Sequence, residues 1–365
     1  MNNQRELLER ELDAVVAECT ECGVCVKQCG FLQRFGTPSA LAQRFRNGAL
    51  DVETLYSCSL CSLCDAVCPE RLSPSTMFRL MRTEMVEQGR APLRRHRRIL
   101  AYERRGLSNL FELYAIPEGA TSVFFPGCAL AGTRPAQTLQ LFERLREDIP
   151  DLGMVLSCCA KPSHDLGRAG FFATVFAKQM DSLTRHGVDT IITACPSCHQ
   201  IFKTYGTSCN VRTVYELLAE GGGLPRLAAP AAATIHDPCA TRYEDGLHHA
   251  ARRLAAAIGF DITEMRHRGK RTCCCGEGGS ACFVAPRITG LWAETRKAEA
   301  AGLPVITYCA GCVEFFSKHF RTVHLIDLVL DPERAMAGDI KIGRSPFTYL
   351  NRLRLKWTVR RIIQR

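Results

Sequence analysis

Twenty-one cysteines stand in this chain of 365 residues, and eighteen of them fall into four spaced groups. Cys19, Cys22, Cys25 and Cys29 follow a C-x2-C-x2-C-x3-C run. Cys58, Cys61, Cys64 and Cys68 repeat it and end in Pro69. This is the bacterial 4Fe-4S spacing. The x2 gaps bring three thiolates onto one cubane, and the fourth cysteine ligates the other cluster. Cys19, Cys22, Cys25 and Cys68 are therefore expected on one cluster, and Cys58, Cys61, Cys64 and Cys29 on the other. Soft, anionic thiolates suit iron-sulfur clusters. One C-x2-C pair would suit zinc, but two complete four-cysteine runs do not. Cross-ligation forces the two cubanes together, so the pair reads as a short wire.

The remaining ten grouped cysteines form one pattern written twice. The first copy reads VFFPGCA, SCCAKP and IITACPSC; the second reads TIHDPCA, CCCGEGG and VITYCAGC. Cys128 to Cys239 is an offset of 111, while Cys195 to Cys309 and Cys198 to Cys312 are both 114. The first motif is Cys128, Cys158, Cys159, Cys195 and Cys198. The second is Cys239, Cys274, Cys275, Cys309 and Cys312. In each, the lone cysteine and the C-x2-C follow an expected strand end, where open α/β sheets bind ligands. Five thiolates at strand ends make an anionic pocket that only a cationic metal centre stabilises. Zinc and an ordinary cubane each remain open for such a motif.

The elements that must position these cysteines change along the chain. Residues 1–115 read as helical: Leu7, Leu8, Leu12, Val15 and Val16 recur at helical spacing, and Pro74 to Gln88 puts Met77, Leu80, Met81 and Met85 on one side. No alternating strand is expected there. Beyond Pro117, strands are expected at 121–125, 154–156, 190–193, 234–236, 304–307 and 323–326. Helices are expected at 136–147, 171–185, 247–258 and 288–300. This alternation argues for α/β layering on a largely parallel sheet. The fold class is thus α+α/β: a helical two-cluster ferredoxin domain (1–115), then two pseudo-twofold-related α/β cysteine-rich repeats (116–225 and 226–335), then a basic tail (336–365). The Gly/Ala/Pro-rich segment 221–230 divides the repeats.

The long helical stretch between the cysteine runs resembles the ferredoxin domains of succinate dehydrogenase iron-sulfur subunits and of heterodisulfide reductase. The repeated motifs resemble those of the cysteine-rich CCG domain family. From about residue 15 to 330 the chain is similar to the catalytic subunit of heterodisulfide reductase. It is also similar to the iron-sulfur subunits of glycolate oxidase, anaerobic glycerol-3-phosphate dehydrogenase and lactate utilisation. The resemblance implies a noncubane 4Fe-4S cluster in each five-cysteine motif, beside the two cubanes, with a substrate disulfide split between them. One departure is Ala160, where the family pattern has glycine after the cysteine pair. Two functions follow. One is an enzyme subunit that passes electrons from the ferredoxin pair to the repeat clusters and reduces a disulfide there. The alternative is a pure electron-transfer subunit relaying electrons from a flavoprotein dehydrogenase to a quinone or membrane cytochrome.

Several residues sit near this chemistry without belonging to it. His236 and Asp237 precede Cys239 and are candidate proton donors, with the second shell or a strand-end turn as the plainer role; His164 and His199 share that position near the first motif. Cys209, Cys273 and Cys282 lie outside both motifs and read as small buried hydrophobes, with Cys273 close enough to a ligand pair to substitute. Gly276, Gly278 and Gly279 form a GEGG loop that lacks GxGxxG and the P-loop Lys-Ser/Thr, so it reads as backbone wrapped round a cluster.

The net charge of +10 concentrates at Arg90–Arg105 and in the tail. No aromatic interleaving accompanies it, so nucleic acid is not expected. No apolar run long enough to span a bilayer and no secretory signal are visible, which points to a cytoplasmic protein. A redox partner subunit, flavoprotein or membrane cytochrome, is expected, as is association with the cytoplasmic membrane face through it. The tail mixes Leu350, Leu353, Leu355, Trp357 and Ile362 with basic residues. It is expected to dock on a partner, to lie on an anionic membrane surface or to stand solvated.

Overall fold

Apolar residues recurring every three to four positions turn the N-terminal third into helices. The computed structural model describes residues 2–363; Met1 and the end of the expected tail, Gln364 and Arg365, lie outside it. Helix Asn2–Glu18 sends Leu8, Leu12 and Val15 into the core and packs on helices Pro38–Arg46 and Pro74–Glu87. Pro38 opens its helix under a Thr37 cap, whose hydroxyl accepts from the Ala40 N–H. Helix Pro74–Glu87 buries Met77, Phe78, Leu80, Met81 and Met85 against the cysteine runs.

The strands come in two sheets. The first holds β1 (Leu113–Ala115), β2 (Ser122–Phe125), β3 (Gly153–Leu156), β4 (Thr190–Thr193) and β5 (Asn210–Thr213) in the order β1-β3-β2-β4-β5. The second holds β6 (Ala231–His236), β7 (Phe260–Ile262), β8 (Val305–Thr307) and β9 (Thr322–His324) in the order β7-β6-β8-β9. All pairs are parallel except β1 with β3. Without β1, the two orders correspond strand for strand, so the internal repeat is a repeat of topology.

Three strands depart from the sequence expectation: β1, β5 and β7. Each is an edge strand of three or four residues, too short and too polar for a period to show. β1 falls in the segment expected to be wholly helical and pairs with β3 of the first repeat, Leu113 opposite Leu156. β9 ends sooner than expected, because the His324 ring accepts from the Ile326 N–H and starts helix Leu325–Leu330.

The repeats share one hydrophobic core, from Phe124 and Ile192 on one side to Ile235 and Ile306 on the other. Two polar ties cross it. The Tyr215 hydroxyl lies 3.0 Å from the carbonyl oxygens of both Ala194 and Tyr308, the residues that precede Cys195 and Cys309. Arg134 donates from Nε to both oxygens of buried Asp327, at 3.0 and 2.8 Å.

The tail packs on its own chain, which the sequence expectation did not include. Helix Phe347–Ile363 docks on its own chain, burying Thr348, Arg352, Leu355, Lys356 and Val359. Lys356 Nζ donates to the carbonyls of Asn109 and Leu110, and Asn351 Nδ2 to that of Gly132. Its outer face keeps Phe347, Leu350 and Trp357 exposed beside Arg354, Arg360 and Arg361.

Candidate iron-sulfur centres

Parallel sheets place strand C-termini on one side, and the cysteines follow from that. Cys128 follows β2, Cys158 and Cys159 follow β3, and Cys195 caps helix Pro196–Tyr205 just after β4. Cys239 follows β6 and Cys309 caps helix Ala310–Phe316 just after β8. Cys274 and Cys275 lie in the long loop after β7.

Each motif converges. In the first, the sulfurs of Cys128 and Cys158 are 4.0 Å apart. Gly127, at φ 82°, makes room: a Cβ there would stand 2.8 Å from Cys195 Cβ and 3.1 Å from Cys198 Sγ. Ala160 takes the left-handed φ of 56° that glycine takes more readily, so all five thiols keep their places despite the departure. The thiols share protons. Donation from Cys158 draws Cys128 down to about 6, and Cys158 is pushed well up in return. Cys195 and Cys198 divide in the same way. In the second motif, donation from Cys239 and then Cys275 draws Cys274 down, while Cys239, Cys275 and Cys312 are raised. Buried thiols that can ionise only at a neighbour's expense are a donor set made for a cationic iron centre.

The ferredoxin cysteines form two gatherings. A single pocket is lined by Cys19, Cys22, Cys25, Cys64 and Cys68. Burial and then the neighbouring Cys58 push Cys29 up to about 12; burial also raises Cys61 and Cys64, with Cys29 adding to both. Cys29 thus lies close to Cys58 of the second run as well as to Cys25 of its own. Cys22 is exposed, whereas Cys58, Cys61 and Cys64 are buried.

The second run lies directly on the second repeat. A Cβ at Gly278 would meet the Ser59 carbonyl at 2.6 Å and Cys274 Sγ at 3.0 Å, and one at Gly279 would meet the Cys58 carbonyl at 2.8 Å. The GEGG loop is therefore backbone wedged between two cysteine sites. Arg82, fully buried, closes the junction: it donates to the carbonyls of Leu55, Cys58, Asp165 and Gly279.

Glu277, between those glycines, went unnoticed in the sequence. Its carboxyl lies over Gly311. Burial first, then Glu314, Cys274 and Cys128, push it up to about 7. It feels cysteines of both motifs, and being the one charged residue of the glycine loop was its only sequence signal.

Asp237, His164 and His199 are held in hydrogen bonds, and His236 is buried without one. His236 is fully buried and edge-on to Phe316; both its nitrogens lack partners, and burial pushes it down to about 3. Burial works to raise Asp237, but donation from Arg252 outweighs it and keeps the carboxyl an anion. Asp237 also accepts from the Gly269 N–H and the Tyr308 hydroxyl. His164 bridges Asp165 and Tyr205, and His199 lies between Thr193 and Glu244. Burial raises Cys209, Cys273 to about 12 and Cys282 to about 11.

Known proteins carry the same modules. Residues 18–73 match the 4Fe-4S dicluster domain, and residues 122–203 and 233–317 each match the cysteine-rich domain. One subunit of the dihydromethanophenazine:CoB–CoM heterodisulfide reductase of Methanosarcina mazei is 22% identical, over 88% of this chain and 92% of its own length. The chain is a heterodisulfide reductase-like iron-sulfur protein. One subunit of the fumarate reductase (CoM/CoB) of Methanothermobacter marburgensis is 27% identical, over 89% of this chain and 70% of that protein. A probable membrane-anchored ferredoxin of Chromohalobacter salexigens is 28% identical, but the chain spans only 39% of it. A hypothetical protein of Helicobacter pylori with a TM-score of 0.49 and 10% identity is too distant to argue from. The heterodisulfide reductase-like chain is thus an iron-sulfur oxidoreductase, and the two reductase relatives are themselves subunits of larger enzymes.

Proposed function

We propose that this chain takes electrons at its ferredoxin cysteines, carries them through the second repeat and delivers them to a disulfide held between the two five-cysteine motifs. The observation that carries this reading is the junction at the GEGG loop, where the point a Gly278 Cβ would occupy lies 2.6 Å from the Ser59 carbonyl of the second ferredoxin run and 3.0 Å from Cys274 Sγ of the second five-cysteine motif. Cys19, Cys22, Cys25 and Cys68 would hold one cubane, and Cys58, Cys61, Cys64 and Cys29 the other. Each five-cysteine motif would hold a further 4Fe-4S cluster of the noncubane type. Five thiols exceed the four that zinc takes. Bound clusters supply electrons singly, and two facing sites suit a two-electron substrate.

The residues of the chain do the rest. Gly127 and the GEGG loop let backbone close round the thiols, and Arg82 and Arg242 hold the two modules in register. Splitting a disulfide into two thiols takes two electrons and two protons. Tyr215 fixes the two C-x2-C segments relative to each other from their shared core.

Exposed Cys22 marks the side where a flavoprotein or membrane cytochrome would hand over electrons. Among the described residues no helix is long and apolar enough to cross a membrane. The outer stripe of helix Phe347–Ile363, with Arg354, Arg360 and Arg361 alongside, supports contact with a membrane face or a membrane-bound partner.

The test is C275S. Disulfide turnover should vanish while the electron paramagnetic resonance (EPR) signals of the ferredoxin pair remain. Full turnover in the variant would overturn the proposal.

A further inference from the structure

Five arginines have lost nearly all exposure: Arg82, Arg134, Arg242, Arg296 and Arg352. Four meet a carboxylate or several carbonyls, although Arg134 Nη2 and Arg296 Nε and Nη2 also lack partners. Arg82 and Arg242 donate to several backbone carbonyls each. Arg134 pairs with Asp327 and Arg296 with Glu299. Arg352 makes one long contact, Nη2 to the Gly106 carbonyl at 3.5 Å, and its Nη1 has no partner. Its guanidinium lies 5.6 Å from the Tyr102 ring centroid and 5.3 Å from that of Phe111. Aromatic faces offset only part of the cost of burying a cation away from any counter-charge.

Its neighbours show which anion it faces. The point a Gly106 Cβ would occupy is 3.1 Å from Cys158 Cβ and 3.2 Å from Arg352 Nη2. Tyr102, under the guanidinium, donates to the Cys128 carbonyl at 2.9 Å. The orphaned cation therefore sits beside Cys128 and Cys158 of the first motif. It arrives on helix Phe347–Ile363, beyond both cysteine-rich domains, which end at residue 317.

We propose that Arg352 is the counter-charge of the first five-cysteine centre, its free Nη1 donating to the anionic group that Cys128 and Cys158 help to hold. This rests on the reading that the motif carries a cluster. A fixed positive charge favours the added electron, so Arg352 raises the reduction potential of the first centre. Electrons that enter beside the second repeat are thereby drawn onward to the first. Arg352 is a positioning residue: it acts on the centre and touches no substrate.

The test uses full-length protein purified anaerobically, with R352Q, R352M and R352K. Iron is counted, and potentials are read by EPR-monitored redox titration. The first-centre signal is identified by its loss in C159S. In R352Q it should shift to a more negative potential, or its roughly four irons should be lost. R352K should stay near the wild type, and the ferredoxin signals should not move in any variant. R352M keeps the aliphatic stem on Tyr102 and Phe111 and gives the same reading if R352Q does not fold. An unshifted potential at full iron content in the neutral variants overturns the proposal. So does an equal shift in R352K, which would mark lost packing rather than lost charge. Wild type with only about eight irons would instead overturn the cluster reading beneath it.

Discussion

The guanidinium of Arg242, in the second repeat, donates from Nε and Nη2 to the carbonyl of Cys61, in the second ferredoxin run, at 2.9 and 2.7 Å. It donates as well to the carbonyls of Lys270 and Thr272, which lead into the Cys274–Cys275 pair. One buried side chain thus fixes the step between two cysteine sites. R242M leaves these carbonyls unpaired, at about 1–3 kcal/mol each, so about 3 kcal/mol or more of stability should go. Denaturation should show that loss. Stopped-flow reduction should show the ferredoxin pair filling normally and the second five-cysteine centre filling more slowly.

Gly127 stands where a side chain cannot. G127A combines a left-handed φ of 82° with a Cβ 2.8 Å from Cys195 Cβ. With ψ at 156° this backbone region is essentially glycine's alone, and holding another residue there costs about 1–3 kcal/mol. The expected result is loss of about four irons from the first motif, with ferredoxin signals intact. Full iron in G127A would show that the motif tolerates a wider loop.

Much of this was legible in the sequence, for a physical reason. Cysteine runs are local, so Cys19 to Cys29 and Cys58 to Cys68 announce their chemistry by spacing. β2, β4 and β8 are central strands, buried and apolar, and read clearly; β1, β5 and β7 are edges and did not. What spacing cannot show is contact between distant segments. Glu277 gains meaning only beside Cys128, and Arg352 only beside Cys158. In the tail, the alternation of Leu353, Leu355 and Trp357 hid the buried face formed by Arg352, Leu355, Lys356 and Val359. That such a face meets its own chain is a property of the fold, not of the segment.

The repeats are also joined at the surface. Glu244 of the second repeat pairs with Lys203 of the first and lies 3.7 Å from His199. His199 does most to hold its carboxyl down to about 2 from 4.5. A depressed carboxyl stabilises the fold above its unfolded value, and that contribution fades as pH falls from about 4.5 toward 2. E244Q should therefore lower Tm at pH 7, and the gap should close in that acid window. The site is half exposed, so the effect is small, about 0.5–1 kcal/mol. A gap constant with pH would place the effect elsewhere.

Leu355 and Val359 anchor the C-terminal helix in the shared core. L355D should release that helix, cost about 3 kcal/mol or more, and open the tail to trypsin at Arg354 and Arg360. Protease resistance equal to the wild type would contradict the docked geometry.

The central claim is that all four cysteine groups carry clusters joined into one path. Iron and acid-labile sulfide per chain, measured with zinc on anaerobically purified protein, test it most directly. The account predicts about 16 irons with matching sulfide, from roughly four 4Fe-4S centres. About 8 irons, with zinc or empty thiols making up the rest, would contradict it and confine redox chemistry to the ferredoxin domain.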